Sequence, residues 1–141
     1  MNIKRINLSR NEDKEGRGFE MQGLQKSKVF QGKNIEDIVI QSISPRKDRG
    51  GHYHERKTEW FLALSGKAEL IWTDKLNPEK TDLHIELFDA DLNTPYVLEV
   101  PPFVVHWVKN NTNEVFLMAS FSTEEYNPSN PDTCRVMLHD K

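Results

Sequence analysis

Cysteine is almost missing from this chain: Cys134 stands alone among 141 residues, which excludes an internal disulfide and a thiolate metal cage built from one chain. A small, partly buried side chain is expected there. Long apolar runs are missing too. Nothing approaches the roughly 20 residues that a helix needs to cross a bilayer, so no membrane span is expected. The opening Met1-Asn2-Ile3-Lys4-Arg5 is basic, but no apolar stretch or small-residue cleavage site follows it. A secretory leader is therefore not expected, and a cytoplasmic location is. Excess positive charge is absent: a formal net charge of -3 offers no global field for nucleic acid. Internal repeats and low-complexity tracts are likewise absent.

What is present is the composition of one globular domain, 36% apolar and 29% charged, in a chain long enough to bury a core without staples. Residues 1–34 are polar and interrupted by Gly16, Gly18, Gly23 and Gly32, which suits a loose arm or short edge strands. From Ile35 the texture changes. A β-branched run over 37–44 reads as a strand, and Arg46-Lys47-Asp48-Arg49-Gly50-Gly51 reads as the turn that ends it. Two short apolar runs, 60–64 and 68–72, flank Gly66-Lys67 and read as a hairpin. An exposed loop over 74–81 follows, then strands at 83–87, 96–100, 104–108 and 115–121, with Pro101-Pro102 and the polar stretch 110–113 as breaks. A turn or two of helix is expected near Ser122-Thr123-Glu124-Glu125. Seven or eight short strands indicate an all-β sandwich or barrel.

Several strands are apolar on both faces. Trp60, Leu62 and Leu64 oppose Phe61 and Ala63, so the outer side also needs cover, and a second subunit is the expected source, giving a homodimer.

His52 and His54 stand two apart, a spacing that puts both imidazoles on one face of a strand. Glu59 follows five residues after His54, an odd step whose parity is reset if 55–58 forms a turn. His106 comes much later, where antiparallel closure of a barrel brings it beside the others. Three neutral imidazoles and a carboxylate suit zinc, iron, nickel, manganese or copper, with open positions for water or substrate. By itself an i, i+2 histidine pair also occurs in exposed loops, and a structural role stays open on spacing alone.

The longer string is more specific: His52-x-His54, four residues, Glu59, six residues, Gly66, then Pro101, four residues, His106, three residues, Asn110. This resembles the two cupin motifs across roughly residues 38–121. The resemblance implies a single-domain cupin, an all-β jelly-roll barrel or double-stranded β-helix, spanning 35–126, with one divalent metal on His52, His54, Glu59 and His106. Two positions depart from the pattern. Arg46 stands where the first motif usually opens with glycine, and Phe103 stands where the second usually has one, which is expected to reshape the turn before His106.

Arg49 to His54 with Lys57-Thr58-Glu59, Val100-Pro101-Pro102, and the ending Tyr126-Asn127-Pro128 with Asn130-Pro131-Asp132-Thr133 look like the carboxy-terminal cupin domain of bacterial capsular-polysaccharide sugar-nucleotide enzymes. A more distant likeness is to the nucleotide-diphosphate-sugar 3,4-ketoisomerases. The first likeness implies zinc, a nucleotide-linked keto-sugar as substrate, epimerisation or isomerisation in surface polysaccharide synthesis, and residues 127–141 as a terminal strap. A metal-bound histidine is no base, so Tyr126, Lys109 or a metal-bound hydroxide are the candidate proton carriers. Were the site metal-free, as the second likeness allows, His52 and His54 would be the acid and base. Arg46 and Arg49, with Lys47, are candidates for a diphosphate, and Trp107 for the pocket wall; a solvated turn accounts for the same cations. His84 and His139 have no motif around them and are expected in surface or core packing. Alternatives to the enzyme are a non-catalytic metal- or sugar-binding cupin and an iron-dependent oxygenase.

Overall fold

The computed structural model describes residues 2–138. Two five-stranded antiparallel sheets face each other. The first runs β1 (Lys4–Asn7), β9 (Tyr96–Val100), β6 (Glu59–Ser65), β11 (Phe116–Ser122) and β4 (Asp37–Ile43). The second runs β12 (Cys134–Arg135), β5 (Asp48–Tyr53), β10 (Val105–Lys109), β7 (Lys67–Thr73) and β8 (His84–Asp89). A separate hairpin pairs β2 (Ser9–Glu12) with β3 (Phe19–Gln22). Between the sheets lie Phe61, Leu70, Trp72, Phe88, Phe116 and Met118, all buried. Each fully buried side chain of this size removes apolar surface worth roughly 1.5–3 kcal/mol.

The strands expected from alternation are present, but their pairing corrects the sequence reading. β6 and β7 do not form a hairpin. Each sits in a different sheet, β6 between β9 and β11, β7 between β10 and β8. A single residue, Gly66, separates them, one short of the two-residue loop that folds a strand back on its neighbour. With φ at 92°, Gly66 turns the chain from one sheet into the other, and its carbonyl accepts the Ala90 N–H at 2.9 Å.

A second correction concerns residues 46–51. The turn is confined to Pro45-Arg46, and β5 has already begun at Asp48. Gly50 is a point of close approach within that strand: a Cβ there would lie 2.5 Å from the His106 carbonyl oxygen. The pairing of β5 with β10 shifts register between His106 and Trp107 at the same place. No helix forms near 122–125. Ser122 ends β11, and its hydroxyl donates to the Glu124 carbonyl at 3.1 Å, closing a bend.

Cover for the outer face of the first sheet comes from the chain itself. Val29 and Phe30 pack on Trp60, Leu62, Val97 and Ala119, and Phe30 meets Trp60 edge to face with centroids 5.0 Å apart. Buried Glu99 locks the arm down by accepting from Trp60 Nε1 at 3.0 Å and Gln31 Nε2 at 2.7 Å. Residues 2–34 therefore supply an edge strand, a hairpin and a covering segment. Cys134 is partly buried, as expected. No helix among the described residues is long and apolar enough to cross a membrane.

Candidate active site

The end of β5 carries His52, and the residue opposite it across the ladder is His106 on β10. His54 follows just past the strand, buried, and the chain bends at Glu55-Arg56 before Glu59 opens β6 in the opposing sheet. The site is thus built from both sheets. Ligand-type nitrogens of His52, His54 and His106 all lie within 4.8 Å of one another. Oε1 of Glu59 stands 2.7 Å from His54 Nε2 and 3.5 Å from His106 Nε2, while its Oε2 accepts from the Ser120 hydroxyl at 3.2 Å.

Proton positions follow from the outer partners. His54 Nδ1 meets the Asp132 carbonyl at 2.5 Å, and His106 Nδ1 meets the Val104 carbonyl at 3.0 Å. A carbonyl only accepts, so both rings donate from Nδ1, and in the neutral form both keep a lone pair on Nε2. Those lone pairs face a carboxylate oxygen in a buried site. His54 Nε2 and Glu59 Oε1, despite their 2.7 Å approach, do not meet hydrogen-bond geometry, and with His52 Nδ1 they are buried polar atoms without a hydrogen-bond partner. Such an arrangement needs positive charge among these atoms, and a divalent cation fits the donor set.

The electrostatics agree. Burial, then the neighbouring imidazoles of His106 and His54, push His52 down to about 3, so it is neutral across the physiological range. Burial works to raise the Glu59 carboxyl, and hydrogen bonding and positive charge on the His106 and His54 side are what hold it well below its ordinary range; with lone pairs on both Nε2 atoms, that charge has to come from a cation among them. Neutral imidazoles beside an ionised carboxylate are the state in which all four bind metal.

His52, Glu59 and His106 open onto a cavity of about 370 Å³ between the sheets. Arg49 and Asp48 of β5, Gln41 of β4 and Arg135 of β12 line it as well. Both arginines are largely exposed side chains, with no carboxylate partner among the described residues. The structure does not bring the other sequence candidates there. Arg46 turns away to Asn113, its Nη2 donating to Oδ1 at 3.1 Å. Trp107 lies on the other side of β10, against Gly51, where a Cβ would meet its Nε1 at 2.6 Å. Lys109 is an exposed strand end opposite Asp48 and Glu69, and Tyr126 is 65% exposed beyond β11. His84 stacks on Trp72 with centroids 4.4 Å apart; His139 lies outside the described residues.

Phe103 and Arg46, the two departures from the motif, both hold the left-handed conformation that glycine takes easily, with φ of 65° and 63°. The Phe103 N–H donates to the His54 carbonyl at 2.7 Å and its ring stacks on Tyr53, so the turn stays tied to the site. Asn110 is fully buried and structural, its Nδ2 donating to the Ile43 and Glu114 carbonyls.

Sequence reasoning missed Ser120, Asp132 and Arg135. Ser120 was open to it, since alternation along β11 puts it on the same face as Met118. Arg135 gave no periodic signal, because its strand has only two residues, and Asp132 lies outside any strand.

A family model for the polysaccharide biosynthesis C-terminal domain matches residues 11–134. The chain belongs to this family. It is 26% identical over 90 residues to the spore coat polysaccharide biosynthesis protein SpsL of Bacillus subtilis, spanning 64% of this chain and 60% of that protein. Among solved structures it matches the capsular polysaccharide assembling protein CapF of Staphylococcus aureus with a TM-score of 0.63 and 21% identity, over 92% of this chain and 34% of that one. It also matches QdtA, a sugar 3,4-ketoisomerase from Thermoanaerobacterium thermosaccharolyticum in complex with TDP, with a TM-score of 0.73 and 16% identity, over 95% and 88% of the two chains. These two likenesses are of fold, and the fold is the cupin jelly-roll barrel. This member of the family therefore corresponds to less than two thirds of SpsL and about a third of CapF.

Proposed function

We propose that the protein is a metal-dependent epimerase or isomerase of a nucleotide-linked keto-sugar in surface polysaccharide biosynthesis. One observation carries the reading: three imidazoles and Glu59 converge at the floor of a cavity whose rim carries Arg49 and Arg135. Family membership supports the polysaccharide setting, and the description of QdtA as a sugar 3,4-ketoisomerase bound to TDP supports the substrate class.

His52, His54, Glu59 and His106 would hold one divalent ion, zinc by resemblance, with iron, nickel or manganese compatible with the same donors. When bound, the ion supplies Lewis acidity toward a carbonyl oxygen on which negative charge develops. The remaining work belongs to the protein. Arg49 and Arg135 bind the diphosphate through charge-assisted hydrogen bonds and so seat the sugar toward the floor. A proton must leave the carbon next to the ketone and return on the other face or on the neighbouring carbon. Its carrier has to reach the cavity, which neither Tyr126 nor Lys109 lines; Asp48 is among the lining residues, but it pairs with Lys109 across the ladder and so faces the other side of β5 from Arg49. The metal-free reading, with His52 as base, fits less well: an imidazole held neutral down to about pH 3 is a weak base.

The assembly proposed with this activity is a homodimer. Its contact face is the part of the first sheet that the arm leaves open, where Ile38 and Ile40 of β4 are 59% and 58% exposed. Sedimentation of the wild type beside Ile38→Lys tests it, a monomeric wild type being the contrary result.

The activity is tested by solvent deuterium incorporation into UDP- and dTDP-linked 4-keto-sugars with the metal-loaded protein. Exchange at a carbon flanking the ketone is the expected outcome. No exchange with any sugar, at full metal occupancy, sinks the isomerase reading and leaves a binding protein; oxygen uptake by the iron-loaded form would mark an oxygenase.

A further inference from the structure

We infer that Asp132, in the carboxy-terminal strap, is a positioning residue for the metal cluster, holding His54 in the tautomer and orientation that aim Nε2 at Glu59. The inference rests on the metal reading of the cluster, and it concerns a residue that contacts the site from outside.

Asp132 is 8% exposed and grips the chain at two levels. Its carboxylate accepts three consecutive backbone amides, Glu55 at 2.8 Å on Oδ1, and Arg56 at 3.0 Å and Lys57 at 2.9 Å on Oδ2. Those amides form the bend that joins His54 to Glu59. Its main-chain carbonyl meanwhile takes the Nδ1 proton of His54 at 2.5 Å. One residue thereby fixes both the ring and the bend that leads to its partner carboxylate. A residue serving only to cap a bend needs the carboxylate alone; the second bond specifies which nitrogen of His54 is left to bind metal.

The strap is seated well enough to do this. β12 pairs with β5 just beyond, Cys134 opposite Tyr53 and Arg135 opposite His52, so the segment follows the strand that carries the first ligand. On the other side Arg56 Nη2 donates to the Asn130 carbonyl at 3.3 Å and to Glu124 at 2.8 Å. The side-chain carboxylate of Asp132 is the link between these anchors and its own carbonyl, which accepts from His54 Nδ1. Loss of that carboxylate frees the main chain and lets the imidazole turn.

The test compares wild type, Asp132→Asn, Asp132→Ala and Arg56→Ala. Zinc affinity is measured by competition with a chromophoric chelator, and the His54 ring nitrogens are observed by NMR in the metal-free protein. Partners of this kind are worth about 10–100-fold in metal affinity, so Asp132→Ala is expected to bind zinc that much more weakly. Its metal-free His54 should lose the signature of a single Nδ1–H tautomer. Asn keeps one acceptor oxygen and should fall between Ala and wild type. Arg56→Ala loosens the strap without touching Asp132 and should keep both readouts near wild type. Wild-type zinc affinity and an unchanged His54 tautomer in the Asp132 variants would overturn the inference. So would an equal loss in Arg56→Ala, which would mean general loosening of the strap. If Asp132→Ala does not fold, Asp132→Asn carries the same comparison. If the wild type binds no zinc, the metal reading fails by itself, and the tautomer of metal-free His54 decides whether Asp132 orients the ring.

Discussion

Oε1 of Glu59 faces Nε2 of His54 across 2.7 Å, although the proton of that imidazole is on its other nitrogen, committed to the carbonyl of Asp132. Two electron-rich atoms pressed together in a buried site are stable with a cation among them and costly without one.

Metal removal should therefore cost stability. At zinc concentrations about 100 times the Kd, the bound form gains about 2.7 kcal/mol over the apo form, which raises Tm by several degrees. Thermal melts with zinc and with a chelator check this. His54→Ala should melt at the same temperature in both.

The cavity rim should discriminate among its cations. Arg49→Ala and Arg135→Ala each remove a charge-assisted contact worth roughly 1.5–3 kcal/mol, so affinity for a nucleoside diphosphate should fall at least about 10-fold for each. Arg46→Ala should leave it unchanged, because that guanidinium is held on Asn113. Calorimetric titration with UDP and dTDP distinguishes the three. Equal weakening by Arg46→Ala would move the anion site to the 45–47 turn.

Acid should loosen the strap before the barrel. Burial works to raise the Asp132 carboxyl, but the amides of Glu55, Lys57 and Arg56 outweigh it and lower it below its ordinary value. A carboxyl depressed in the folded state contributes stability that is complete above its unfolded value, about 3.9, and is lost as pH falls through the folded one. Hydrogen exchange at the Glu55, Arg56 and Lys57 amides should thus accelerate beyond its intrinsic pH trend below about pH 4. In Asp132→Asn that added acceleration should vanish.

Much of the barrel was legible because its signals are local. Val105 to Lys109 and Phe116 to Ser122 announce themselves by alternation, and the i, i+2 pair His52 and His54 by strand parity. Pairing was not legible at Gly66, where adjacency in sequence suggests a hairpin and the one-residue link sends β7 to the other sheet. The cover of Trp60 by Phe30 was hidden for a related reason: the arm is polar overall, and only a few of its side chains, Val29 and Phe30 with Ile6 and Leu8 beside them, do the burying. Asp132 was legible only as part of the terminal strap, since its contacts with the site are made by a carbonyl and three amides, which no residue type advertises.

Glycine restored at Arg46 should be tolerated and slightly stabilising. A left-handed backbone costs a non-glycine residue roughly 1–2 kcal/mol, offset by about 0.5–1 kcal/mol of glycine entropy, so Arg46→Gly should gain up to about 1.5 kcal/mol. A fall in Tm of several degrees would show that the contact with Asn113 outweighs the strain.

The central claim is that His52, His54, Glu59 and His106 hold a metal ion, and elemental analysis of purified protein tests it most directly. The wild type should carry about one divalent ion per chain, and the His52→Ala, His54→Ala double variant almost none. Equal metal content in the two proteins would contradict the account and pass the chemistry of the site to the histidines themselves.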